Sequence, residues 1–147
     1  DDFEALETTL QTTQTLVYLA DNAGEEIFDK LYIQTIKELF PQINVYYFVR
    51  GRPIINDLTC QDALASGMND VATIVDSGVP TPGLAMEFMN ENARVLFEKA
   101  ECIISKGMGN YECLGEVVGL PIFFLFKVKF PFLDSLILCK SDCVISQ

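Results

Sequence analysis

The sequence predicts an α/β fold with a doubly wound, mostly parallel sheet flanked by helices. Three observations predict it. Short apolar runs rich in β-branched and aromatic residues recur along the chain, among them LVYLA at 16–20, INVYYFVR at 43–50 and PIFFLFKV at 121–128. Segments of helical pattern alternate with these runs, the order expected of parallel strands joined by crossover helices. Finally, the first run stops abruptly: in LVYLADNAGEEIF (16–28) the apolar stretch gives way to Asp21-Asn22-Ala23-Gly24-Glu25, and a helical pattern begins.

Taken in order, residues 1–13 (DDFEALETTLQTT) are acidic and helical in propensity, and they are expected to form an N-terminal docking helix within 1–14. The first strand covers about 15–20. A helix follows from about Gly24 to Phe40, with Ile27, Leu31, Ile36 and Leu39 near helical spacing, and Pro41 ends it. The second strand is 43–50, and GRPIINDLT leads from it into a short helix at about 59–67. DVATIVDSG (70–78) gives a third strand, followed by a loop with Pro80, Pro82 and Gly83 and a helix within 84–99. Met86, Phe88 and Met89 read as core packing. ECIISK (101–106) is the fourth strand, GMGNYECLGEVVG (107–119) a loop and short helix, and PIFFLFKV the fifth strand. A helix over 131–140 and a short strand in DCVISQ complete the pattern. With no repeat, low-complexity tract or linker, residues 1–147 read as a single Rossmann-like, three-layer α/β domain.

The chain has 147 residues, half of them hydrophobic and 21% charged, which is a globular composition with room for a core. Its net charge of −11 argues against a nucleic-acid partner, since that role relies on a basic surface. An anionic substrate would need local positive charge or a metal. Five cysteines (Cys60, Cys102, Cys113, Cys139 and Cys143) form no CxxC pair, and no histidine exists to complete a zinc set. They read as buried free thiols of a reducing compartment. No signal peptide is evident. The longest apolar run, GLPIFFLF (119–126), is too short to span a bilayer and is followed by Lys127 and Lys129. The expectation is a soluble cytoplasmic protein with no membrane partner. Without histidine, Ser-His-Asp and Cys-His chemistry is excluded for this chain, and acid–base work falls to carboxylates, Lys, Tyr, Cys or a metal-activated water.

In an open parallel sheet, ligands bind outside the carboxyl ends of the strands. Asp21 and Asn22 follow the first strand; Arg50, Arg52, Asn56 and Asp57 the second; Asp76 the third; and Lys106 the fourth, with Gly107, Gly109 and Asn110 leading into a helix. Asp21, Asn22 and Asp57 offer oxygen ligands to one divalent cation. Lys106 and the backbone amides of 107–110 suit a phosphate, because a glycine-rich turn at a helix start presents N–H groups. Simpler readings stand beside these. Asn22 to Glu25 is also a capping-box pattern, Asp57 or Thr59 would cap the next helix, and the 107–110 segment would be an ordinary turn. Asp76 reads as turn, Glu25 and Glu112 as cap, helix surface or support behind the ligands, and Lys127 as solvated or reaching the same edge. The gathering of polar residues from three strands favours the site. The GxGxxG spacing of a dinucleotide fingerprint is missing.

Together these residues resemble the damage-control phosphatase family, also known as domain of unknown function 89. The matching pieces are LADNAGEEIFD (19–29), GRPIINDLTCQDA (51–63) and ISKGMGNYECL (103–113), with PIFFLFKVKFPFL (121–133) like the family's closing segment. The resemblance implies a metal-dependent phosphatase of small phosphorylated metabolites, such as sugar phosphates or phosphopantetheine-like compounds, with manganese, cobalt, nickel or magnesium as the divalent metal ion. It assigns Asp21, Asn22 and Asp57 to the metal and Lys106 to the phosphate. Asp21 and Lys106 are the expected catalytic residues, and the attacking group is either a metal-activated water or the Asp21 carboxylate. A methyltransferase activity has also been proposed within the family; nothing in the sequence shows a site for that cofactor. Two departures from the family pattern stand out. The chain starts without the family's helical N-terminal region, and the loop SGVPTPG (77–83) lacks an acidic residue before its Pro-Gly. The alternatives are a non-catalytic metal- or anion-binding or regulatory module and, more weakly, a dinucleotide-binding domain. Apolar surface left uncovered is expected to drive self-association into a homo-oligomer.

Overall fold

Five of the apolar runs form strands: β1 (Thr15–Leu19), β2 (Asn44–Val49), β3 (Thr73–Asp76), β4 (Cys102–Lys106) and β5 (Ile122–Leu125). A two-residue strand, β6 (Val144–Ile145), pairs with β5. The computed structural model of the chain describes residues 2–127 and 144–145; the expected helix at 131–140, with Lys129, Cys139 and Cys143, lies outside the described residues. Among the described residues every strand pairing is parallel, and the order across the sheet is β3-β2-β1-β4-β5-β6. The chain starts at the centre, winds outward through β2 and β3, then returns to β4 on the other side of β1. The switch point of this doubly wound sheet therefore lies between β1 and β4.

Strands covered on both faces need apolar residues in succession, and β1 shows why its run is unbroken. Leu16 and Tyr18 point to one core, and Val17 and Leu19 to the other. The first face is covered by α1 (Asp2–Thr12), α2 (Glu26–Leu39) and α3 (Cys60–Ala65), through Leu6, Leu10, Ile33, Ile36 and Ala63. The second is covered by α4 (Glu91–Glu98) and α5 (Met108–Leu114), through Ala93, Phe97 and Leu114. The result is three layers. Thr59 heads α3 with Asp62 as its reciprocal partner, and Asn90 caps α4 by accepting the Ala93 N–H. No helix among the described residues is long and apolar enough to cross a membrane.

Several local expectations change. The helix α2 forms, but Ile27, Leu31 and Leu39 lie on its exposed side; its inner face is Glu26, Asp29, Ile33 and Ile36. The inward row falls at i, i+3, i+7 and i+10 from Glu26, so two acidic residues sit where apolar ones were sought. Asn22 does not cap this helix. The helix starts at Glu26, Glu25 stands at the cap position without a side-chain cap, and Asn22 is drawn into a backbone bridge with Asp57. Met89 is buried but Phe88 is half exposed, in a 3₁₀ turn at Met86–Phe88 that replaces the start of the expected helix. Of the cysteines described, Cys102 is buried, Cys60 partly so, and Cys113 exposed, which corrects the reading of Cys113 as a buried thiol.

Candidate functional site

The site is built where β1 and β4 end side by side, with Leu19 opposite Ser105 in the register. Beyond β1 the backbone turns against the segment after β2. Leu58 N–H donates to the Asp21 carbonyl at 2.9 Å and Ala23 N–H to the Asn56 carbonyl at 2.8 Å, which seats Asn22 beside Asp57. The polar residues after these two strands thus form one ledge.

Beneath the ledge, Arg50 is almost wholly buried. Its Nε donates to Asp57 Oδ1 at 2.8 Å and its Nη2 to Asn110 Oδ1 at 3.0 Å. Asn110 in turn donates to the Ala20 carbonyl at 3.2 Å and the Lys106 carbonyl at 2.7 Å. Asn110 therefore clamps the ends of β1 and β4 together, with its side-chain donors and acceptor used inside the protein. At Gly107 the backbone has φ +80°, and a Cβ there would lie 2.2 Å from the Asp21 carboxylate. Only glycine admits both the conformation and the approach.

A cleft of about 860 Å³ opens at this edge. Asp21, Asn22, Glu25, Asp29, Lys106 and Gly107 supply its polar wall, and Phe3, Phe28, Tyr32 and Phe126 part of its apolar wall. Lys127 also reaches it. Asp57 is bridged to Asn22, and Gly109 packs against Gly83; neither lines the cleft, nor does Asn110. Glu112 is exposed on α5, away from it, and Asp76 accepts the Gly78 N–H in a turn.

The electrostatics are uneven. Lys106 Nζ donates to Glu25 Oε2 at 2.8 Å and to Asp29 Oδ1 at 2.9 Å. Burial pulls the Lys106 ammonium toward neutrality, but Asp29 and Glu25 outweigh it and raise its pKa. Asp21 has no such cation at salt-bridge distance among the described residues. Burial, with Glu25 and Asp57 nearby, pushes its carboxyl up to about 6. It accepts a hydrogen bond from Asn22 Nδ2 at 2.9 Å; that nitrogen also donates to Glu25 Oε1. Both Asn22 side-chain bonds use the amide nitrogen, and its oxygen meets no donor among the described residues. Among the described residues no three His, Cys, Asp or Glu side chains converge as a preformed metal site. The oxygen-bearing side chains at this corner are Asp21 and Asn22 on the cleft wall, with Asp57 next to Asn22 but outside the lining. Hard oxygen donors beside an under-compensated carboxylate fit a divalent cation whose shell is completed by water.

Three participants escaped the sequence, Asp29, Tyr18 and Tyr47, and a fourth, Arg50, was placed at the strand end but given no role. Asp29 is 3% exposed and accepts from Tyr18 Oη at 2.8 Å, Tyr47 Oη at 2.7 Å and Lys106. The two tyrosine rings stack with centroids 5.5 Å apart. The signal was present as an acidic residue four positions before Ile33 on the inward face of α2.

A three-layer α/β protein with a polar cleft at its switch point is the class that fold and site define. Within that class, the chain belongs to the family described as the damage-control phosphatase ARMT1-like domain, which matches residues 1–144. It is 34% identical over 131 residues to a damage-control phosphatase of Pyrococcus horikoshii, covering 89% of this chain and 45% of that protein. It is 39% identical over 115 residues to a damage-control phosphatase of Archaeoglobus fulgidus, covering 78% and 39%. A crystal structure of a DUF89 family protein from Pyrococcus horikoshii superposes with a TM-score of 0.86 at 32% identity, covering 98% of this chain and 50% of that one. The chain thus spans half or less of the length of these relatives.

Proposed function

We propose that this chain is the α/β part of a metal-dependent phosphatase that hydrolyses small phosphorylated metabolites, sugar phosphates or phosphopantetheine-like compounds. The observation that carries the reading is the meeting of Asp21, Asn22 and Lys106 in one cleft at the switch point. Two relatives named damage-control phosphatases support it. Asp21, Asn22 and Asp57 would hold the cation, manganese, cobalt, nickel or magnesium, which when bound polarises a phosphoryl group and offsets its charge. Arg50 takes one oxygen of Asp57, and among the described residues no side chain claims the other. Lys106 attracts the substrate phosphate, and the open first turn of α5 from Met108 adds N–H groups beside it. The aromatic wall of Phe3, Phe28 and Tyr32 shields the remainder of the substrate from water.

The test is a metal-by-substrate screen with p-nitrophenyl phosphate and sugar phosphates, run with the wild-type chain and Asp21→Ala. Metal-dependent hydrolysis lost in Asp21→Ala is expected. Full activity in that variant would sink the proposal. One observation favours a second reading, a binding module without turnover: both carboxylates nearest Lys106 already occupy it. Turnover by the wild-type chain rules that reading out.

A further inference from the structure

The two carboxylates that hold Lys106 differ in kind. Asp29 projects inward from α2, is 3% exposed, and is bonded by hydroxyls from two neighbouring strands. Tyr18 and Tyr47 lie opposite one another in the β1–β2 register, so the sheet itself sets their spacing. Every oxygen of Asp29 is engaged: Oδ1 by Tyr18 and Lys106, and Oδ2 by Tyr47. Such a carboxylate has one position. Glu25 reaches Lys106 from the cleft rim with a side chain that is 40% exposed, and it shares its contacts with Asn22. An ammonium carries three N–H groups, and two are used here among the described residues.

We propose that Asp29 is a positioning residue for Lys106, and that Glu25 is the partner an incoming phosphate replaces. Held by Tyr18 and Tyr47, Asp29 keeps the ammonium charged and fixed at the cleft wall. Glu25 balances the charge while the cleft is empty of anion. A phosphate oxygen takes over its place on Nζ without disturbing the buried half of the network. This inference rests on the phosphate-binding reading of the cleft.

The experiment is calorimetric titration of inorganic phosphate into the chain at saturating Mn²⁺, with Mn²⁺ affinity measured separately. Asp29→Asn should weaken phosphate binding about tenfold, the worth of one charge-assisted contact, while Mn²⁺ affinity stays at the wild-type value. Tyr47→Phe, which keeps the ring packing, should weaken phosphate binding about threefold; it carries the test where Asp29→Asn does not fold. Glu25→Gln should tighten phosphate binding several-fold. Unchanged phosphate affinity in both Asp29→Asn and Tyr47→Phe overturns the inference. So does a parallel fall of Mn²⁺ and phosphate affinity, the mark of general structural damage, and so does weaker phosphate binding in Glu25→Gln. A wild-type chain that binds phosphate without hydrolysing any ester refutes the phosphatase reading and leaves this one to stand on the titrations; one that binds no phosphate refutes both.

Discussion

Replacing Gly107 with alanine strikes the site where its packing is tightest. Two separable penalties follow. The residue sits at φ +80° and ψ 157°, a region that side chains rarely enter, and forcing a Cβ there costs about 1–3 kcal/mol. The added methyl would also lie 2.2 Å from Oδ2 and Cγ of Asp21 and 2.6 Å from Oδ1, so the carboxylate must move. Overpacking of that kind costs about 1–3 kcal/mol more. Gly119 supplies the control: its φ is +87° but a Cβ there would meet nothing within 4 Å. Gly119→Ala therefore reads the backbone term alone. Urea unfolding followed by far-UV circular dichroism, suited to a chain with no tryptophan, should show Gly107→Ala less stable than Gly119→Ala by that overpacking term. Mn²⁺ affinity should fall about tenfold or more only in Gly107→Ala, as when a ligand's support is lost. Equal stability losses in the two variants, with equal Mn²⁺ affinity, would refute the packing of Gly107 against Asp21.

Arg50→Ala leaves Asp57 buried without its cation and should cost about 3–5 kcal/mol in urea unfolding; a loss under 1 kcal/mol would mean that Asp57 finds water. Tyr18, Tyr32 and Tyr47 all have raised pKa values, first through burial and, for Tyr18 and Tyr47, next through Asp29. The folded chain holds these protons longer than the unfolded one, so their contribution to stability is full below the ordinary tyrosine value and is lost as pH rises above it. Absorbance at 295 nm should show the Tyr18 and Tyr47 tyrosinates only on alkaline unfolding, and their titration in the folded state near pH 10 would contradict the network. Burial pushes the Cys102 thiol up to about 12, so alkylation at pH 8 mapped by mass spectrometry should label exposed Cys113 well before Cys102. Asp21→Asn should stabilise the metal-free chain by about 1–2 kcal/mol, after allowing for screening, and should abolish the rise in melting temperature that Mn²⁺ gives the wild type; a stability gain from Mn²⁺ that survives the substitution would count against Asp21 as a ligand.

The strands were legible because central parallel strands must be apolar on both faces, and β1, β2, β4 and β5 carry unbroken runs. The expected third strand at 70–78 shrinks to Thr73–Asp76. Met68–Asp70 coils into a 3₁₀ turn and Ser77 N–H is drawn to the Val49 carbonyl, neither of which a propensity pattern encodes. The polar strand ends were legible for a related reason: Asp21 and Lys106 interrupt apolar runs. What stayed hidden were polar groups with an apolar disguise. Tyr18 and Tyr47 lie inside hydrophobic runs and read as core, and only the register shows that their hydroxyls meet at Asp29. Arg50 was placed at the end of the second strand without a role, because its pairing depends on Asp57 and on Asn110 of a distant segment. The inner face of α2 was misread because its exposed side carries Ile27, Phe28, Leu31 and Leu39, more apolar bulk than the face that packs.

That partition of charges explains why Asp21 stands apart. The buried Arg50 and the partly buried Lys106 at the switch point are each claimed: Arg50 by Asp57, and Lys106 by Asp29 and Glu25. Each pairing also fixes geometry, since Arg50 further holds Asn110 and Asp29 further holds the tyrosines. Asp21 is left with an amide donor from Asn22 and with two carboxylate neighbours that oppose its ionisation. A carboxylate in that state is a standing cost to folding at neutral pH, because burial and like charge both disfavour its anion. A chain that needed only a stable turn there would be better served by asparagine. Gly107, whose lack of a side chain lets the backbone approach this carboxylate, adds a second conformational restriction at the same point. Both costs fall on one oxygen-rich corner of the cleft, where a divalent cation would relieve the first and make use of the second.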